Sequence, residues 1–137
     1  MPVQSEMELA AQNEELLAEG YRAFAEQDMD TIHRTFHPDI VWHAQRLGIL
    51  GGDHEGLDAV LQFFGRTMEL TAGTFRIEVK EILANTQGAA AVVRSSATRG
   101  GRTLDSHQIQ HFHMKDGQVV EVWQFVSDGP AVEAFWS

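Results

Sequence analysis

The order of periodicities along this chain predicts an α+β domain, with helices in the first half and an antiparallel sheet in the second. Up to about Leu70, apolar residues recur three, four or seven apart, the spacing of one helical face. From Thr74 onward they alternate with polar residues, the spacing of a half-buried strand. Asp116-Gly117 then sits between two apolar-rich runs, a pair that favours the positive φ values of a tight hairpin turn. A chain of 137 residues is long enough for one hydrophobic core and too short for two domains.

The first helix begins at a capping box, Ser5 with Glu8 three residues on, and its face of Ala10, Leu17, Tyr21 and Phe24 carries it to about Gln27. Asp28 or Asp30 caps a short second helix in which Ile32 and Phe36 stand one turn apart, and Pro38 ends it. Ile40 to Gln45 is a short β-prone run leading into a glycine-rich loop at Gly48, Gly51 and Gly52. After Gly56, the residues Leu57, Val60, Leu61, Phe64 and Met68 repeat at helical spacing to about Leu70.

Four strands follow. In the first, Phe75, Ile77 and Val79 share a parity that Ile82 breaks, so a bulge or bend is expected near Glu81. A turn at Asn85 to Gly88 leads to a strand over Ala89 to Thr98, and Arg99 to Arg102 turns the chain into a strand over Thr103 to Lys115. The fourth strand, Gln118 to Val126, has Val119, Trp123 and Phe125 on one parity and Val120, Val122 and Val126 on the other. Both faces are apolar, so both need cover: helices on one side and, on the other, a second copy of the chain. Asp128 precedes a short terminal helix with Pro130 in its first turn.

Composition narrows the functional classes. With 20 Asp and Glu against 10 Lys and Arg, the net charge of −10 disfavours nucleic acid and anionic membrane surfaces as partners. The absence of cysteine removes disulfides, thiol nucleophiles and thiolate metal sites together. No apolar run approaches the roughly 18 residues of a spanning helix. The acidic start MPVQSEMELA lacks the basic and apolar regions of a signal peptide, so a cytoplasmic protein is expected.

Three segments, FHPDIVWH (Phe36 to His43), GDHEGLDAVLQFF (Gly52 to Phe64) and MKDGQVVEVWQFVSD (Met114 to Asp128), together with the element order, resemble the nuclear transport factor 2-like superfamily. That superfamily includes ketosteroid isomerase, and the branch most resembled is the SnoaL-like polyketide cyclase group. The resemblance implies a cystatin-like α+β roll. In it a cone-shaped, curved antiparallel sheet packs on three N-terminal helices around a pocket, and the convex side of the sheet pairs with a second copy. It is specific for fold and poor for function, because the same fold hosts isomerases, cyclases, dehydratases, epoxide hydrolases and proteins without catalysis.

Placed on ketosteroid isomerase, His43 falls where such enzymes hold the carboxylate that moves a proton at carbon. An imidazole of ordinary pKa near 6.5 suits a general base. The competing reading is a half-buried histidine satisfied by a backbone carbonyl. Asp128 stands five residues after Trp123, a spacing that marks the acid/base carboxylate in the SnoaL-like branch; otherwise it caps the terminal helix. Gln110 falls where the isomerase presents its protonated aspartic acid, and Tyr21 lies one residue from the isomerase's tyrosine donor. Glutamine donates a hydrogen bond without that acid's strength, so steroid isomerisation is doubtful. Epoxide hydrolysis is also weak, because the positions around Ser95 and Ala97 lack that branch's Arg and Asp pair.

Tyr21, Trp42, Phe64, Met68, Phe112 and Trp123 are the expected substrate contacts. His107, His111 and His113 share one strand parity, opposite to Gln110. They face the dimer side or solvent if Gln110 faces the pocket, and face inward if a bulge flips the register. Steps of about 7 Å along a strand make a chelating trio difficult, so no metal site and no cofactor are expected. His33, His37 and His54 read as solvated.

Two functions remain open. One is a cofactor-independent acid/base enzyme of isomerase, cyclase or dehydratase type, in which His43 and Asp128 shuttle a proton on a small hydrophobic carbonyl compound. The other is a non-catalytic module that binds a hydrophobic ligand or serves dimerisation.

Overall fold

The computed structural model describes residues 5–137. Helix α1 (Glu6–Glu26) starts where the capping box places it, with the Ser5 hydroxyl oxygen accepting from Glu8 N at 3.1 Å. It ends at Gln27 in the left-handed region, φ 57°. Asp28 then caps the expected short second helix, α2 (Met29–Thr35), by accepting from Thr31 N at 3.2 Å.

Strand β1 (Phe36–Ala44) begins earlier than the β-prone run at Ile40, directly at the end of α2. Pro38 does not merely stop the helix; it lies within this strand, at the register shift between Phe36 and Val41. A residue without an N–H is tolerated there because the ladder is already interrupted. The glycine loop contains a strand that the sequence reading missed, β2 (Gly52–Glu55). Gly-Asp-His-Glu has little β propensity; pairing with Val41 to Ala44 of β1 makes it a strand. Helix α3 (Leu57–Leu70) matches its expected span.

The meander comprises β3 (Arg76–Asn85), β4 (Gly88–Arg99), β5 (Arg102–Lys115) and β6 (Gln118–Val126), followed by α4 (Gly129–Phe135). The six strands form one sheet in the order β2-β1-β6-β5-β4-β3. The expected α+β roll is thus present, with one refinement: the sheet is mixed, because β1 joins β6 in parallel while every other pair is antiparallel. The bulge anticipated near Glu81 falls between Val79 and Glu81.

A second register shift, between His113 and Met114, corrects the reading of β6. It places Val119 on the inner, helix-facing side with Val122, Gln124 and Val126, and leaves Glu121, Trp123 and Phe125 on the outer side. Strict alternation through Val120 therefore grouped Trp123 and Phe125 with Val119, and it is those two that the extra residue turns outward. Strand β5 is regular: Leu104, Ser106, Gln108, Gln110, Phe112 and Met114 are buried and the residues between them exposed.

Two hydrophobic clusters fill the inner side. The larger joins α1, α2 and α3 to the sheet around Ile40, Val60, Val93, Val119 and Val122, each at most 1% exposed. The smaller gathers Leu50, Ala97 and Leu104 under Val132, Phe135 and Trp136 of the C-terminal helix segment. On the outer face, Ile109 and Phe125 face each other across β5 and β6 and remain 48% and 51% exposed. Among the described residues no helix is long and apolar enough to cross a membrane.

Candidate functional site

A cavity of about 100 Å³ lies between the two clusters. Its walls come mainly from α1, α3 and the inner faces of β1, β5 and β6, with Ile32 of α2, Ile77 of β3, the loop around Leu47 and Leu50, Val132 of α4 and Trp136 completing them. Among the described residues the lining side chains are apolar except for Tyr21, Gln45, Thr67, Gln108, Gln110 and Gln124, and they include no Asp, Glu, His, Lys or Arg. Gln45 is exposed to solvent and also on the wall, so the cavity meets solvent beside it.

Three glutamines converge because of strand register. Gln108 and Gln110 are two apart on β5, hence on one face, and Gln110 pairs directly with Gln124 of β6. The Tyr21 hydroxyl donates to Gln110 Oε1. Trp42 Nε1 donates to Gln124 Oε1 at 2.5 Å. Gln110 Nε2 and Gln124 Nε2 both donate to Gln108 Oε1, at 3.3 and 3.2 Å. Burial pushes the Tyr21 phenol well above its ordinary pKa, so it stays protonated and remains a donor. Edge-on contacts surround this polar strip: Trp42 with Phe64 and Phe112, and Tyr21 with Phe112, at centroid separations of 5.2, 6.0 and 5.9 Å.

Of the residues singled out from the sequence, Gln110, Tyr21, Trp42, Phe64 and Phe112 line the cavity. His43, Asp128, Trp123 and Met68 do not. His43 follows Trp42 on a strand, so when Trp42 faces in, His43 faces out. There its Nδ1 lies 2.8 Å from Asp53 Oδ1 and its Nε2 lies 2.6 Å from Glu121 Oε2. Carboxylates rather than a backbone carbonyl satisfy it. Partial burial acts to lower its pKa, but the hydrogen bonds to Glu121 and Asp53 outweigh that and leave it raised. When protonated, the ring donates from both nitrogens and has no lone pair with which to take a proton.

Trp123, on the outer face because of the β6 bulge, stacks between His43 and His111 at 5.4 and 5.3 Å. Asp128 caps α4, accepting from Ala131 N at 3.1 Å, and is exposed. Met68 is half-buried on α3, while its neighbour Thr67 takes the cavity position. The convergence of His43 and Asp128 in the hollow is therefore not met.

The two readings of the β5 histidines resolve to the outer face: His107, His111 and His113 are all exposed. His54 departs from the solvated expectation, since it stacks on Phe63 at 4.2 Å and Nε2 lies 3.1 Å from Leu50 O. Among the described residues no His, Asp or Glu group is arranged to hold a metal ion. The sequence reading missed Gln108 and Gln124. Gln108 was signalled by its inward parity beside Phe112 and Met114; Gln124 could be found only once the β6 bulge was known.

The model of the SnoaL-like domain family matches residues 17–122. The chain belongs to that family. This SnoaL-like protein is similar to Bal32a from a soil-derived mobile gene cassette, whose structure superimposes with a TM-score of 0.91 at 33% identity, covering 94% of this chain and 99% of the other. An uncharacterised protein of Mycobacterium tuberculosis is 29% identical over 124 residues, 90% of this chain and 95% of the relative. IdmH, a putative polyketide cyclase from Streptomyces antibioticus, shares the fold at 19% identity and a TM-score of 0.73, covering 90% and 98% of the two chains.

Proposed function

We propose that this SnoaL-like protein binds a small, uncharged, hydrophobic molecule in the cavity, with Tyr21, Trp42, Phe64, Gln110 and Phe112 among its contacts. The observation that carries this reading is the wall itself, apolar with a strip of phenol, indole and amide groups and no ionised side chain. Transferring a charge into such surroundings without a counter-charge is prohibitive, whereas an apolar body with a neutral polar atom is accommodated. A hollow of about 100 Å³ suits a single ring, since roughly 150 Å³ is known to admit benzene. Ligand-observed NMR with neutral, anionic and cationic single-ring compounds tests the proposal. Binding confined to neutral members is expected; preferential binding of ions, or no binding at all, refutes it.

Cofactor-independent isomerase, cyclase or dehydratase chemistry on a carbonyl compound is the second reading, favoured by the Tyr21 phenol that burial keeps protonated within the cavity. Such a donor polarises a carbonyl that takes the place of Gln110 Oε1 on its single O–H, and the base would come from the substrate or from water. Solvent deuterium incorporation next to the carbonyl, lost in Tyr21→Phe, is its test. A homodimer through the outer sheet face belongs to the same proposal, supported by the exposure of Ile109 and Phe125. Phe125→Asp should then shift the sedimentation coefficient to that of a monomer. Cytoplasmic residence likewise remains a proposal.

A further inference from the structure

We infer that Gln108 is the ligand-recognising group of the cavity, and that it takes a molecule whose buried polar atom is a hydrogen-bond acceptor, such as a ketone, ester or ether oxygen. Trp42 sets this preference from the far end of the amide chain. The inference rests on the binding reading above and deepens it.

The oxygen and nitrogen of a glutamine amide are ordinarily interchangeable on grounds of shape. Here chemistry distinguishes them. The Trp42 indole has a single polar function, a donor, so the Gln124 atom 2.5 Å from it must be the oxygen. The Gln124 nitrogen is then the atom 3.2 Å from Gln108, and the Gln108 atom facing it must be the acceptor. Gln110 also presents its nitrogen to that same Gln108 oxygen, at 3.3 Å, and turns its own oxygen to the Tyr21 hydroxyl. Reversing Gln108 alone would set its NH2 against two other NH2 groups. Reversing Gln110 alone would set two carbonyl oxygens together. One polarity satisfies the whole chain, and the indole dictates it.

That polarity leaves one group over. The Gln108 Nε2 carries two N–H donors and meets no acceptor among the described residues, although Gln108 is only 8% exposed and lines the cavity. The one buried side-chain oxygen or nitrogen fully closed off without a partner among the described residues is Ser95 Oγ, so the Gln108 nitrogen keeps access through the cavity. Gln108 is nine-tenths buried as a residue and keeps an NH2 without a protein acceptor on the wall of a mostly apolar hollow, so an acceptor satisfies it, either on a ligand or on a water that the ligand displaces. A ligand that offers only donors opposes it. A hydrocarbon leaves it bare, and discrimination of that kind is large because the unpaired group belongs to the protein.

Cyclohexanone and methylenecyclohexane have nearly the same shape and differ by an acceptor oxygen replaced with CH2. Their dissociation constants for the intact protein and for Gln108→Leu and Trp42→Phe, measured by NMR titration, form the test. Each affinity is first corrected for the compound's own water-to-hydrocarbon transfer. The corrected preference for the ketone should be about tenfold or more in the intact protein and should collapse in Gln108→Leu. Trp42→Phe frees Gln124 to reverse, and Gln108 and Gln110 with it once the Tyr21 hydroxyl turns from donor to acceptor, so it should reduce the preference as well. The carbonyl stretch of bound cyclohexanone should move to lower wavenumber in the intact protein and return in Gln108→Leu. Should Gln108→Leu fail to fold, Gln108→Met supplies the comparison. If both compounds bind with the same corrected ratio in every variant, the acceptor assignment falls while the binding reading stands. If neither binds, the binding reading falls and takes this inference with it.

Discussion

Removing the Tyr21 hydroxyl by Tyr21→Phe deletes the donor that satisfies Gln110 Oε1, a group on a side chain 3% exposed. The phenyl ring keeps its edge-on contact with Phe112, so lost packing contributes little. What remains is a buried carbonyl oxygen without its partner, which costs about 1–3 kcal/mol. Gln110→Leu leaves the mirror defect, an unpaired phenol, and should cost a similar amount. The double variant removes both halves of the bond and leaves an apolar pair, while Gln108 Oε1 keeps its bond from Gln124 Nε2. Its destabilisation should therefore fall below the sum of the single variants by about 1–2 kcal/mol. Urea unfolding followed by far-UV circular dichroism measures all three. With a slope of about 2 kcal/mol per molar urea, each single variant should lower the midpoint by roughly 0.5–1.5 M. Additivity within about 0.5 kcal/mol would show that no such bond exists and that the amide chain does not end at Tyr21.

Three other perturbations probe separate parts of the molecule. The raised pKa of His43 means that the folded state holds its proton more tightly than the unfolded chain. The stability it contributes is fully present below the unfolded value near 6.5 and is lost as pH rises through the higher folded value. The partner Asp53 is held below its ordinary value by its hydrogen bond to His43, so at the acid end the contribution falls away as pH drops through that depressed value. Urea midpoints across pH 5–8 should therefore decline towards the alkaline side, and His43→Gln should flatten the decline; an unchanged slope would remove the ion-pair account. Gly48→Ala forces a Cβ to within 2.5 Å of Trp136 Cβ at a φ of +90°, and should destabilise by about 1–3 kcal/mol while loosening Trp136, as read by its fluorescence. Ile40→Ala empties a position with no solvent exposure and should cost about 2–5 kcal/mol by urea unfolding.

Local chemistry made much of the fold legible. The Ser5 and Asp28 caps, the Asp116-Gly117 turn and the periods of α1, α3 and β5 are short-range signals, and each appears where the residues place it. Strand β2 was not legible, because Gly52 to Glu55 has no strand character until β1 lies beside it. The outward turn of Trp123 was hidden for a related reason. A single extra residue at Val120 reverses the faces of everything beyond it, and apolar valines on both sides of the bulge give no sign of where it falls.

The site divides along the same line. That Gln110 and Phe112 share one face of β5, and that His107, His111 and His113 share the other, follows from a period of two and belongs to the amino-acid sequence alone. So does the aromatic and aliphatic material from which a hollow could be built. Only the packed structure decided that the hollow contains no imidazole or carboxylate. It turned His43 out to Asp53 and Glu121, spent Asp128 on capping α4, and brought Tyr21, Trp42 and three glutamines from four separate elements into one bonded strip. Side-chain alternation is local and can be counted along the chain. Which titratable group reaches a cavity depends on register between distant strands, and that is set when the whole sheet forms.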